Sequence, residues 1–169
     1  MRDPFFKAPV PLVQYTQPLA DSLSLRTLPL HAHEILFAFC TYQFVKSVVA
    51  PRVSGHLFPG IYAKLSKRAK INWDVHFVSM VQACVINITA IWIMYMDGER
   101  RNMDWKERVW GYSGATGMVQ GFSAGYFLWD LVASAKNIDV HGPGALAHAV
   151  CALAVSSLGF VSLYRSKPP

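Results

Sequence analysis

Several polar residues of this chain lie where polar residues are expensive. His148 sits among small and apolar neighbours, with Ala145, Ala149, Ala152, Ser156 and Gly159 on one side of it at helical spacing. An imidazole within hydrocarbon is by default a functional candidate, as a base or as a hydrogen-bonding group, and packing between helices is its bland alternative. A second apolar run carries His76, Ser79, Gln82, Asn87 and Thr89. On a helix, His76 and Asn87 fall only about 20° apart. That face is expected to point into a helix bundle, as a lipid-headgroup or proton-handling surface or as a set of interhelical hydrogen bonds. A third run carries Gln120, Tyr126 and Asp130. Tyr126 and Asp130 are one turn apart and can share a hydrogen bond, but a solvated acid at the end of its helix is the favoured reading of Asp130.

The third run also holds Gly117, Gly121 and Gly125 at four-residue spacing. Such a stripe lets a second helix backbone come close, within the chain or in a helix–helix oligomer. His31 and His33 flank Ala32 beside Glu34, behind Pro29. Their spacing is not that of a helical ligand pair, so no metal is expected there. Cys40, Cys84 and Cys151 are scattered through apolar stretches, which points to buried thiols and away from a disulfide framework. No Ser-His-Asp pattern, phosphate-binding loop or dinucleotide fingerprint is present, and no cofactor is expected. Asn87-Ile88-Thr89 matches a glycosylation sequon inside an apolar run and is expected to be unused.

The elements that position these residues follow from composition. The chain has 169 residues, 53% of them hydrophobic and 15% charged. A soluble domain would carry about a quarter charged residues. Apolar blocks run roughly over 34–50, 73–96, 110–134 and 144–164. The first is short and interrupted by Lys46, and Pro51 is expected to end it. The expected fold is all-α, a polytopic transmembrane helix bundle of about four spans within residues 33–164. Trp73, Trp92, Tyr95, Trp105, Trp110, Trp129 and Tyr164 lie at or near block ends, as interfacial aromatics do. Residues 1–32, broken by Pro4, Pro9, Pro11, Pro18 and Pro29, read as an irregular leader, and 165–169 as a polar tail. The net charge of +6 is carried by short loops, notably Lys64, Lys67, Arg68 and Lys70. This suits membrane lipids as partners and a cytoplasmic loop; without a recognition motif it does not suit nucleic acid.

Three stretches, KLSKRAKINWDVHFVSMVQACVIN, MDWKERVWGYSGATGMVQGFSAGYFLWDLVAS and GPGALAHAVCALAVSSLGF, resemble TLC-domain membrane proteins, with uncharacterised fungal members nearest and ceramide synthases more distant. The resemblance runs from about Leu30 to Phe160. It implies an endoplasmic-reticulum-type membrane and work on or near lipids. Ceramide synthases join a sphingoid amine to an acyl group from acyl-CoA. Their signature is a His-His pair opening a membrane helix, with paired aspartates further on. Here the pair's positions read Ala147-His148, and the aspartate region is missing, so a C-terminally shortened member is expected. His148 alone could be a base, but amide formation also needs stabilisation of the oxyanion. The favoured expectation is a TLC protein in lipid homeostasis, sensing or transport. The alternatives are a ceramide-synthase-like N-acyltransferase and a membrane fragment with no activity of its own. Four apolar blocks make a direct prediction. The protein should stay in the membrane pellet after carbonate extraction and need detergent to dissolve. Release into the aqueous fraction would contradict the reading.

Overall fold

The computed structural model describes residues 3–161. The tail at 165–169 and Tyr164 lie outside the described residues. The first helix, α1, spans Val10–Leu23, where an irregular leader was expected. Its prolines are placed so that the helix survives them. Pro9 is the extended N-cap residue, and Pro11 lies in the first turn, whose N–H groups have no intrahelical acceptor. Only Pro18 removes a ladder bond, and the hydroxyl of Thr16 donates within the preceding turn to the Leu12 carbonyl at 2.8 Å. The helix closes at Ser24, in the left-handed region at φ 58°.

Helix α2, Leu28–Phe44, passes through a π turn at Val45–Val49 directly into α3, Ala50–Leu57. The sequence predicts a stop at Pro51. The wider turn supplies the reason it does not occur. The Ala50 N–H reaches back to the Val45 carbonyl, which shifts the carbonyls the proline ring would otherwise strike. Pro51 then sits in the first turn of the restarted α-helix. A short α4, Pro59–Tyr62, precedes α5, Lys67–Met96, which is capped by the Ser66 hydroxyl. Two short helices follow, α6 at Gly98–Arg101 and α7 at Trp105–Trp110, the latter opened by an Asp104/Glu107 capping box. Ser113 and Thr116 form a second capping box at the start of α8, Gly114–Lys136. Helix α9, Ile138–Ser157, kinks at Gly142, whose φ of 78° precedes Pro143, and ends in a 3₁₀ turn at Leu158–Phe160.

Helix α8 lies at the centre, with α2, α5 and α9 packed against it. One end of the bundle gathers the start of α2, the end of α5, the start of α8 and the end of α9. There the Thr27 N–H and hydroxyl both donate to the Phe160 carbonyl at 3.1 Å, and the Ser113 hydroxyl donates to Asp97 Oδ2 at 2.7 Å. At the other end Arg68 meets Asp139 at 3.3 Å on the surface. The main core joins Ala38, Tyr42 and Val45 to Val75 and Val78 and to Trp129 and Ala133.

The architecture is all-helical. Two helices, Lys67–Met96 and Ile138–Phe160, are long and apolar enough to cross a membrane. At 30 residues, α5 is about 45 Å long against a hydrocarbon core of about 30 Å. The four-span expectation is therefore met in part. The first and third blocks fold into α2, which at 17 residues is short for a span, and α8, whose glycine and hydroxyl residues dilute its hydropathy, and both turn much of their surface inward.

Candidate functional site

The start of α2 carries a polar pair that is sealed from solvent. His31 and Glu34 lie one turn apart and are 1% and 0% exposed. The His31 Nδ1 atom is 2.6 Å from Glu34 Oε2, and its Nε2 atom is 2.7 Å from the Tyr112 hydroxyl, just ahead of α8. Asp3 brings a second carboxylate to 3.6 Å from Nδ1. Phe5 fixes this segment by packing its ring on Phe37 and Phe122. Burial, helped by the Asp3 and Glu34 carboxylates, pushes the Tyr112 phenol up to about 12, so it remains a neutral hydroxyl at any physiological pH.

The glycine stripe makes room for this pair. A Cβ at Gly117 would strike the His31 imidazole, one at Gly121 would lie 2.7 Å from Glu34 Oε2, and one at Gly125 would lie 2.5 Å from the Ile35 carbonyl. Helices α2 and α8 run parallel along this seam. Each step of four residues on α8 brings the next turn of α2 onto a bare backbone.

The other singled-out residues divide into two groups. Gln82 is buried and accepts a hydrogen bond from Tyr42. Tyr126 donates to Ser79 at 2.9 Å, and Gln120 donates to the Ser156 carbonyl of α9. These three residues tie helices together. The possible Tyr126–Asp130 bond is not seen among the described contacts; the Tyr126 hydroxyl reaches α5 instead, and Asp130, read as a solvated acid, is half-buried. His76 and Asn87 are exposed, contrary to the inward face predicted for them. They bond the carbonyls of their own helix, at Asn72 (2.9 Å) and Ala83 (2.8 Å). The inward line of α5 passes through Val75, Val78 and Gln82, and a residue one position on from Val75 is turned about 100° away. His148 is exposed too, because Ala149 occupies the buried line of α9. An inward, hydrogen-bonded His148 is thus corrected to an outward one.

Beside the buried pair lies an apolar cavity of about 360 Å³ between α1, α2, α8 and α9. Leu12, Leu19, Leu28, Ala124, Leu153 and Phe160 line it, with Thr16 and Ser157 as its hydroxyls. Phe160 is the partition, since its ring stacks on His31 at 6.3 Å and also faces the cavity. Sequence reasoning noted His31 and Glu34 but expected no metal there and gave the pair no role. The signal available was their i, i+3 spacing on a helix with Pro29 in its first turn, opposite glycines at matching intervals.

Two outward-facing helices long and apolar enough to cross a membrane, with a half-open apolar cavity between helices, suit a membrane protein. The TLC domain family model matches residues 72–166, and the chain belongs to that family. It is 34% identical over 154 residues to an uncharacterised TLC domain-containing protein of Schizosaccharomyces pombe, covering 91% of this chain and 51% of that protein. It is 34% identical over 121 residues to topoisomerase I damage affected protein 4 of Saccharomyces cerevisiae, covering 71% of this chain and 41% of that protein. A TLC domain-containing protein 4 of Dictyostelium discoideum is 25% identical over 146 residues, covering 82% and 49%. The chain spans about half the length of these relatives. No solved structure matches it.

The seam predicts a contrast among glycines. Gly121→Leu should lower stability by about 1–3 kcal/mol through overpacking, whereas Gly144→Leu, where a Cβ meets open space, should stay within about 0.5 kcal/mol of the parent. Thermal unfolding in detergent measures both. Equal melting of the two variants would remove the seam from the account.

Proposed function

We propose that this chain is an integral membrane protein that binds a lipid acyl chain and serves lipid homeostasis, sensing or transport in an endoplasmic-reticulum-type membrane. The observation that carries this reading is the cavity, at about 360 Å³ within the size range of ligand pockets and lined almost wholly by hydrocarbon. An apolar chain gains by entering such a site, and Thr16 and Ser157 offer little to a polar ligand. In this reading α2 and α8 complete a four-helix crossing with α5 and α9, and the Lys64–Lys70 loop faces the cytoplasm.

The same reading sets amide synthesis aside. Ala147 stands at the first position of the histidine pair, and His148 points outward, away from the cavity and from the buried polar pair. Among the described residues, the charged groups near His148 include Asp130, an anion, whereas acyl transfer requires donors arranged for an oxyanion.

A photoactivatable fatty acid tests the proposal. Irradiated with the purified protein in detergent, it should label peptides of α1, α2 and α9 that line the cavity. Ala124→Trp should fill the space and reduce labelling to a minor fraction, with the fold intact by circular dichroism. Labelling spread over the outer faces of α5 and α9 and insensitive to Ala124→Trp would contradict acyl-chain binding. Amide formed from a sphingoid base and acyl-CoA would replace the proposal by the N-acyltransferase reading.

A further inference from the structure

We propose that Asp3, His31 and Glu34 form a binding site for a divalent first-row metal ion such as Zn²⁺. One ligand atom from each residue lies within 4.8 Å of the others, with His31 and Glu34 buried and Asp3 about three-quarters so. Imidazole nitrogen and carboxylate oxygen are the donors zinc takes in protein sites, and three protein ligands leave one position open.

Electrostatics argue for a cation at this point. Two carboxylates face His31 at the buried end of α2, and His33 also lies near Asp3; with both carboxylates ionised and His33 neutral, even a protonated His31 leaves the group one negative charge in excess. A divalent ion on a neutral imidazole brings the sum to zero, which matters where water cannot screen the excess. A second, independent observation points the same way. Glu34 Oε1 is fully buried and has no hydrogen-bond partner among the described residues. Buried acceptors without partners are rare and ask for an explanation. A metal bound by the Glu34 carboxylate would supply one.

The surroundings fit a ligand set held in advance. The Tyr112 hydroxyl sits 2.7 Å from His31 Nε2. If Nε2–H donates to that oxygen, the lone pair of Nδ1 faces the carboxylates, as a metal-binding tautomer requires. Gly117 and Gly121 leave the space that the imidazole and the Glu34 carboxylate occupy. Asp3 comes from the segment anchored by Phe5, so the ion would also clip that segment to α2. The rival occupant is a proton shared between His31 and Glu34.

The test uses the full chain in detergent. After chelation it is dialysed against Zn²⁺, then desalted, and metal is counted by mass spectrometry. One zinc per chain should remain, and the melting temperature should rise on loading. His31→Gln and Glu34→Gln should reduce retained zinc to background, while His76→Gln and His148→Gln keep it. Should the buried variants fail to fold, Asp3→Asn at the more open edge carries the test and should weaken zinc binding at least about tenfold. Folded parent protein that retains no stoichiometric zinc would assign the site to a proton alone and overturn the proposal. Zinc that persists undiminished in Asp3→Asn and His31→Gln would overturn it equally.

Discussion

The close approach of α2 to α8 is the constraint on which the rest depends. Three glycines strip one face of α8 to backbone, and His31, Glu34 and Ile35 fill the space that side chains would take. Parallel helices this close cannot rely on expulsion of water if lipid surrounds them, so dispersion and hydrogen bonding must hold the seam. The buried pair raises the stakes. A desolvated carboxylate beside an imidazole costs several kcal/mol unless each is well partnered, and removing one member of such a pair typically costs about 3–5 kcal/mol. Tyr112 and Asp3 help to meet that demand from either side. The seam also fixes the rest of the bundle. With α8 held to α2, Tyr126 reaches Ser79 on α5, and Gln120 reaches the end of α9.

Much of this was legible in the residues. The helical class, the block limits near α5, α8 and α9, and a close-packing role for Gly117, Gly121 and Gly125 follow from hydropathy and spacing. The partner of the stripe does not. The first block reads as the weakest because it is short and Lys46 interrupts it, whereas the buried His31, His33 and Glu34 at the start of α2 make it an interior helix. Proline rules misread the first third of the chain for a related reason. They describe an average position, whereas Pro9 and Pro11 occupy the helix start and Pro51 follows a π turn. His76, Asn87 and His148 were misjudged because a polar residue on an apolar helix need not face inward. His76 and Asn87 satisfy themselves on carbonyls of their own turn.

The enclosed polar group among the described residues lies elsewhere than the residues to which the resemblance pointed. The histidine at the signature's second position faces outward. The enclosed polar group lies at the opposite end of the bundle's sequence, on α2, separated from an apolar cavity by the ring of Phe160. A lipid chain in that cavity would rest against the same ring that covers His31. The cavity and the buried pair thus share one wall, the ring of Phe160.

A double-mutant cycle between Gly121 and Glu34 tests the central claim most directly. Stability is measured by unfolding in detergent for the parent, Gly121→Ala, Glu34→Ala and the double variant. The account predicts that the methyl group at Gly121 destabilises the parent, because it meets Glu34 Oε2 at 2.7 Å and Glu34 Cβ at 3.0 Å, and costs less once Glu34 is truncated to alanine, which leaves only the Cβ contact. The two changes should then couple by about 0.5–3 kcal/mol. Strict additivity, with Gly121→Ala costing the same in both backgrounds, would contradict the claim that the glycine stripe exists to seat the buried pair.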